Sequence, residues 1–168
     1  EEKDKTSEFL MTRPISRLTI FNSKIASLFT LVGIIFTLQT ITAAIGMNSF
    51  STVKIDWSTL ATMHIHGFTL VIFFTSVGVL LSMFITPKKN FMGMVVGIVF
   101  GTYFIDAISK AADPINWLGY FSPFHYVGFN ITDNDYSLSY FSIMGIFTIS
   151  SILLIIAYKK YKLKDING

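Results

Sequence analysis

Apolar residues in this chain gather in long unbroken runs instead of recurring at the two-residue period of a strand or the three-to-four-residue period of a soluble helix. The first run, Ile25 to Met47, is interrupted only by small or hydroxylated residues and Gln39. At about 1.5 Å per residue, a helix of that length crosses a hydrocarbon layer of roughly 30 Å. A second run extends from Met63 to Thr86 and stops at Pro87-Lys88-Lys89-Asn90, a turn that lipid excludes. The third, Phe91 to Ser109, and the fourth, Leu138 to Tyr158, complete the set, and the fourth ends against Lys159, Lys160, Lys162 and Lys164. The pattern predicts an all-α polytopic transmembrane bundle with spans at 25–47, 63–86, 91–109 and 138–158. The transmembrane domain, 25–158, is then flanked by a polar segment, 1–24, and a basic tail, 159–168.

Composition agrees with the pattern, since 52% of the 168 residues are hydrophobic and only 14% are charged. The net charge of +3 does not point to nucleic acid, because the basic residues flank apolar runs and form no stripe on one face. Their distribution sets orientation instead. Lys3, Lys5, Arg13, Arg17, Lys24, Lys88, Lys89 and the four tail lysines fall on one side, leaving only Lys54 and Lys110 of the thirteen on the other. The positive-inside rule makes the first side cytoplasmic, with both ends of the chain there, in a multi-pass protein of the plasma membrane. There is no cysteine, hence no disulfide or thiolate chemistry. Residues 1–24 carry charges of both signs and no leader-like apolar core.

The segment Asp4 to Lys24 is too polar to span, yet Phe9, Leu10, Ile15, Leu18, Ile20 and Phe21 give it an apolar face. By itself this describes an amphipathic helix lying on the membrane surface, interrupted near Pro14. The same stretch resembles one from the permeases of ABC-2 type exporters, of the form E-x-x-G-T-x-E-x-L-L-x-x-P-[IV]-S-R followed by a lysine before the next span. Glu2, Thr6, Glu8, Leu10, Met11, Pro14, Ile15, Ser16, Arg17 and Lys24 fall on that pattern, and Lys5 stands where glycine is usual. The resemblance implies a coupling helix seated in a cleft of an ATPase subunit, with Glu8, Phe9, Leu10, Arg13, Pro14 and Arg17 making the contact. The chain has no phosphate-binding G-x-x-x-x-G-K-[ST] loop, so ATP and magnesium belong to that separate subunit and this chain holds no cofactor and no catalytic site. Permeases of the family carry six spans with the coupling helix after the second, which implies two further spans ahead of Glu1.

Between the third and fourth spans lies an aromatic stretch with Trp117, Tyr120, Phe121, Phe124, Tyr126, Phe129 and Tyr136. Asp113-Pro114 and Ser122-Pro123 each place a capping side chain before a proline, which predicts two short helices over about 111–130. An interfacial aromatic belt would explain the rings alone. The string Tyr120-Phe-Ser-Pro-Phe-His-Tyr126 also resembles the S-P-F-x-Y element that ABC-2 permeases carry before their last span, where short helices re-enter the membrane from outside. The resemblance makes Pro123, Phe124, His125 and Tyr126 an outer gate.

Gly93, Gly97 and Gly101 share one face of the third span, a surface for close helix packing inside this chain or against another subunit. Asp106, the one acid inside a predicted span, has Lys110 a turn away as its expected partner. His64 and His66 point about 200° apart on a helix, so neither they nor His125 are assigned to a metal. The function expected is that of an ABC-2 exporter permease, paired with a second permease and an ABC ATPase in membrane lipid, moving an amphipathic or hydrophobic substrate such as a peptide. The alternative is a non-transporting immunity or sensor protein that docks a soluble partner on its cytoplasmic helix.

Overall fold

The computed structural model describes residues 16–85, 90–111, 113–128 and 136–163, and all regular structure among them is helical. The helices are α1 (Arg17–Phe50), α2 (Trp57–Ser82), α3 (Phe91–Ser109), a 310 helix (Asp113–Phe121), α4 (Pro123–Tyr126) and α5 (Tyr140–Leu163). α1, α2, α3 and α5 are each long and apolar enough to cross a membrane. Short connections return the chain on itself, so α1 and α3 finish, and α2 and α5 begin, at the end that carries the short helices. That end is the aromatic end, and the opposite one the basic end.

Three helices differ in extent from the apolar runs, each for a local reason. α1 begins at Arg17, so residues 17–24, expected in a separate polar segment, form its first two turns. Ser16 caps them by accepting a hydrogen bond from the Thr19 amide at 3.1 Å. Phe21, in this polar stretch, is buried against Val79 and Ala157 and stacks near Tyr158 and Tyr161. With 34 residues α1 is roughly 51 Å long and overruns the hydrocarbon layer. α2 begins six residues ahead of Met63 because Asp56 caps it, accepting from the Ser58 amide at 3.0 Å and the Thr59 hydroxyl at 2.6 Å. Those bonds, Thr59's first, hold the Asp56 carboxyl below its ordinary range. The resulting support for the helix start is complete above the ordinary aspartate pKa of about 3.9 and is lost as pH falls through the lowered folded value. α5 runs past Tyr158 to Leu163, its added turn carrying Tyr161 onto Phe21.

Hydroxyl groups within the spans have no water to bond and turn to their own backbone instead. Thr37, Thr40, Thr42, Thr69, Ser76, Thr148, Ser150 and Ser151 each donate to the carbonyl four residues earlier, at 2.8 to 2.9 Å. Satisfied in this way, small polar residues can occupy a helix interface. Thr62, His66, Thr69, Ser76 and Val79 are buried along one face of α2, and Ile146, Ser150 and Ala157 along one face of α5. These faces form the most extensive contact between spans, as expected where lipid offers no hydrophobic drive and close approach supplies the attraction. α1 joins at the basic end through Phe21, Ile25 and Leu28. α3 stands apart from the seam: its principal contact is with the 310 helix, and it touches α2 only lightly.

Filling the α2–α5 seam should therefore weaken the whole bundle. Ala157→Leu puts three extra carbons where exposure is 0% and is expected to cost about 1 to 3 kcal/mol. Ile155→Leu, at a position facing away from the core, should change little. The check is the midpoint of thermal unfolding in detergent for both variants.

Candidate functional site

The 310 helix and α4 make a compact hairpin across the aromatic end, and Ser122 is the hinge between them. Its hydroxyl accepts from the Phe124 amide at 3.2 Å, capping α4, with Pro123 at the first helical position where its missing amide costs nothing. The same hydroxyl donates to the Thr102 carbonyl of α3 at 2.8 Å. Ser122 and Pro123 are both buried. Tyr126 closes the hairpin by donating its phenol to the Tyr120 carbonyl at 3.1 Å.

Phe124 fixes the hairpin sideways. Its ring lies 5.6 Å from Phe74 of α2 and 5.6 Å from Tyr103 of α3. Val127, just past α4, is fully buried with Leu70 of α2 and Ile146 of α5. His66, buried on α2, faces the Gly128 carbonyl at 3.1 Å and the Tyr136 hydroxyl at 3.2 Å. A carbonyl only accepts, so His66 carries its proton on Nδ1. Burial pushes the Tyr136 phenol upward in pKa. Both ends of the segment between α4 and α5 are thereby tied to one histidine.

The polar part of the site lies where α3 ends. Asp106 is buried, with Lys110 Nζ 2.6 Å from Oδ2, the partner expected from their spacing. Its Oδ1 faces His125 Nδ1 at 3.7 Å, too far for a hydrogen bond, and neither atom has another hydrogen-bond partner. Gly119 permits this approach. A Cβ there would lie 2.7 Å from His125 Nδ1 and 2.7 Å from the Ser109 hydroxyl, which itself donates to the Asp106 carbonyl. Tyr120 covers the imidazole, ring centres 5.1 Å apart.

Below the hairpin, α2 and α3 enclose a groove of about 750 Å³ lined by Val71, Phe74, Gly78, Val95 and Val99, with Phe124 among its walls. Its polar groups are few; Ser82, at the basic end, is already bonded to the Val79 carbonyl.

The structure brings Pro123, Phe124, His125 and Tyr126 together as one element. Glu8, Phe9, Leu10, Arg13 and Pro14 lie outside the described residues, and Arg17 is the first residue of α1. Gly97 and Gly101 are exposed with open space where a Cβ would stand, while Gly93 has only its own cap, Asn90, beside it. The glycine face thus meets no other helix among the described residues. His64 bonds its own helix at the Leu60 carbonyl, away from His66. Sequence reading missed Gly119, the second bond of Ser122 and the His66 clasp; a lone glycine amid the aromatic rings was the available signal for the first.

A family model described as ABC-2 family transporter protein matches residues 1–161. No curated protein and no solved structure matches the chain.

Two substitutions test how the hairpin is held. Ser122→Ala leaves the cap and the Thr102 tie unmade and should cost about 1 to 3 kcal/mol. Gly119→Ala should displace His125 from Asp106 while sparing that tie. Both should raise amide hydrogen exchange over 113–121, and only Ser122→Ala should also raise it at the capped Phe124 amide of α4.

Proposed function

Because the chain belongs to the ABC-2 transporter family and is the permease of an ABC transporter, we propose that it couples ATP hydrolysis by a separate ATPase subunit to export of an amphipathic or hydrophobic substrate such as a peptide. Two permeases, identical or related, line the path at their interface, and two ATPases close beneath them. The cytoplasmic coupling segment is 1–24, with Glu8, Phe9, Leu10, Arg13, Pro14 and Arg17 at the ATPase, and the hairpin residues Pro123, Phe124, His125 and Tyr126 form the outer gate.

The observation that carries this reading is the unequal attachment of α3. It is tied to the bundle at the aromatic end through Ser122, Phe124 and the Asp106 cluster, and elsewhere an apolar groove separates it from α2. A helix held in this way can tilt about the hairpin, opening the basic end while the aromatic end stays shut. Its exposed glycine face, Gly97 and Gly101, then serves the second permease. α1 supplies the mechanical link. It runs unbroken from Arg17, inside the coupling segment, to Phe50 at the aromatic end, so a push at its start reaches the seam through Phe21. The apolar groove lining favours a hydrophobic cargo over a sugar or ion, which would need buried polar partners.

Changing Phe9 and Leu10 together to serine should remove apolar burial worth roughly 2 to 5 kcal/mol at the ATPase contact. The expected result is loss of ATPase pull-down and of export at normal membrane abundance. Unchanged pull-down would remove the coupling role from this segment.

A further inference from the structure

Two polar atoms in the hairpin cluster face each other without bonding. Asp106 Oδ1 and His125 Nδ1 are both buried, both lack a hydrogen-bond partner, and stand 3.7 Å apart. An unmade hydrogen bond between buried groups costs free energy that a small movement would recover. The movement is small indeed, since a charge-assisted bond closes at about 2.7 to 2.9 Å. Asp106 is held ready for it: Lys110 engages the other carboxylate oxygen, and the α3 backbone fixes the position. His125 is on α4, a four-residue helix held to α3 by the Ser122 hydroxyl and the Phe124–Tyr103 ring contact.

We propose that His125 and Asp106 form a proton-operated latch: protonation of the imidazole turns the 3.7 Å approach into a charge-assisted hydrogen bond that draws the hairpin onto the end of α3, and deprotonation releases it. A quarter of the His125 side chain is exposed, so the ring exchanges protons with solvent while Nδ1 stays directed at the carboxylate. No redox or covalent change is involved; one proton moves between water and the ring. Gly119 keeps the closing path clear, because any side chain there would meet Nδ1 first. The remaining titratable groups around the ring are Tyr120 on the 310 helix, Tyr126 on α4 itself and Lys110 beyond Asp106. α2 and α5 meet the hairpin through apolar Phe74, Leu70 and Ile146, with His66 of α2 engaged by Gly128 and Tyr136. Among these, His125 is the imidazole that faces a carboxylate.

That the latched hairpin bars an export path rests on the function proposed above, but the latch is tested without substrate or nucleotide. The chain has no cysteine, so Phe121→Cys, at an exposed position of the hairpin, carries the only spin label in the full chain in lipid nanodiscs. The mobile fraction of its spectrum is expected to fall about twofold or more between about pH 8 and about pH 5, spanning the ordinary imidazole titration. His125→Gln, which keeps a polar ring-sized donor without a titrating charge, should hold the fraction at its high-pH value throughout. Asp106→Asn should do the same, with His66→Gln retaining the wild-type response. A pH response of wild-type size in His125→Gln, or a response lost only in His66→Gln, would overturn the latch. A latch confirmed in a protein that exports nothing would instead remove the transport reading and leave the device standing.

Discussion

The attachment of α3 depends on one serine. In lipid, apolar helix surfaces gain little by meeting, because hydrocarbon chains are as good a neighbour as another helix. Polar ties and close packing decide which helices stay together. Ser122 supplies such a tie, capping α4 with one lone pair and donating its proton to the Thr102 carbonyl. Around it the hairpin gathers contacts from three spans, through Phe124 on Phe74 and Tyr103, and through Val127 on Leu70 and Ile146. Without the hairpin α3 has only a light contact with α2 and an apolar groove beside it.

The other spans are joined differently. α2 and α5 approach along a seam rich in threonine, serine and alanine, and the hydroxyls of Thr69, Ser76 and Ser150 on it are closed onto their own carbonyls. Motion along such a seam exposes no free hydroxyl of Thr69, Ser76 or Ser150. α1 locks onto its basic end with Phe21. The division into a fixed set, α1, α2 and α5, and a singly attached α3 is what the proposed transport cycle uses: the fixed set receives the push from the ATPase, and α3 answers it.

Much of this was legible in the chain, because a bilayer demands contiguous apolar residues and the four spans announce themselves by that alone. Helix ends were less legible where polar residues continue a helix beyond the hydrocarbon. Residues 17–24 look like a separate polar segment, and only the tertiary burial of Phe21 shows that they belong to α1. The Asp106–Lys110 pair follows from helical spacing, whereas His125 reaches the same carboxylate across nineteen positions through a gap left by Gly119. No local pattern encodes that meeting. The glycine repeat on α3 gives a face but not its partner, and among the described residues the face is open. Ser122 was readable as a cap; its bond to Thr102 is not, since a hydroxyl's second role appears only when another helix presents a carbonyl.

The claim that α3 pivots on the hairpin is tested most directly by two pairs of spin labels between α3 and α5. Met92→Cys with Leu163→Cys reports the basic end, and Ile108→Cys with Tyr140→Cys the aromatic end; all four positions are exposed. Distances are compared in the complex with its ATPase, without nucleotide and with ATP trapped by vanadate. The expected result is a shifted distribution for the first pair and an unchanged one for the second. A shift at Ile108 and Tyr140 with none at Met92 and Leu163 would contradict the pivot, because the end held by Ser122 would then be the end that moves.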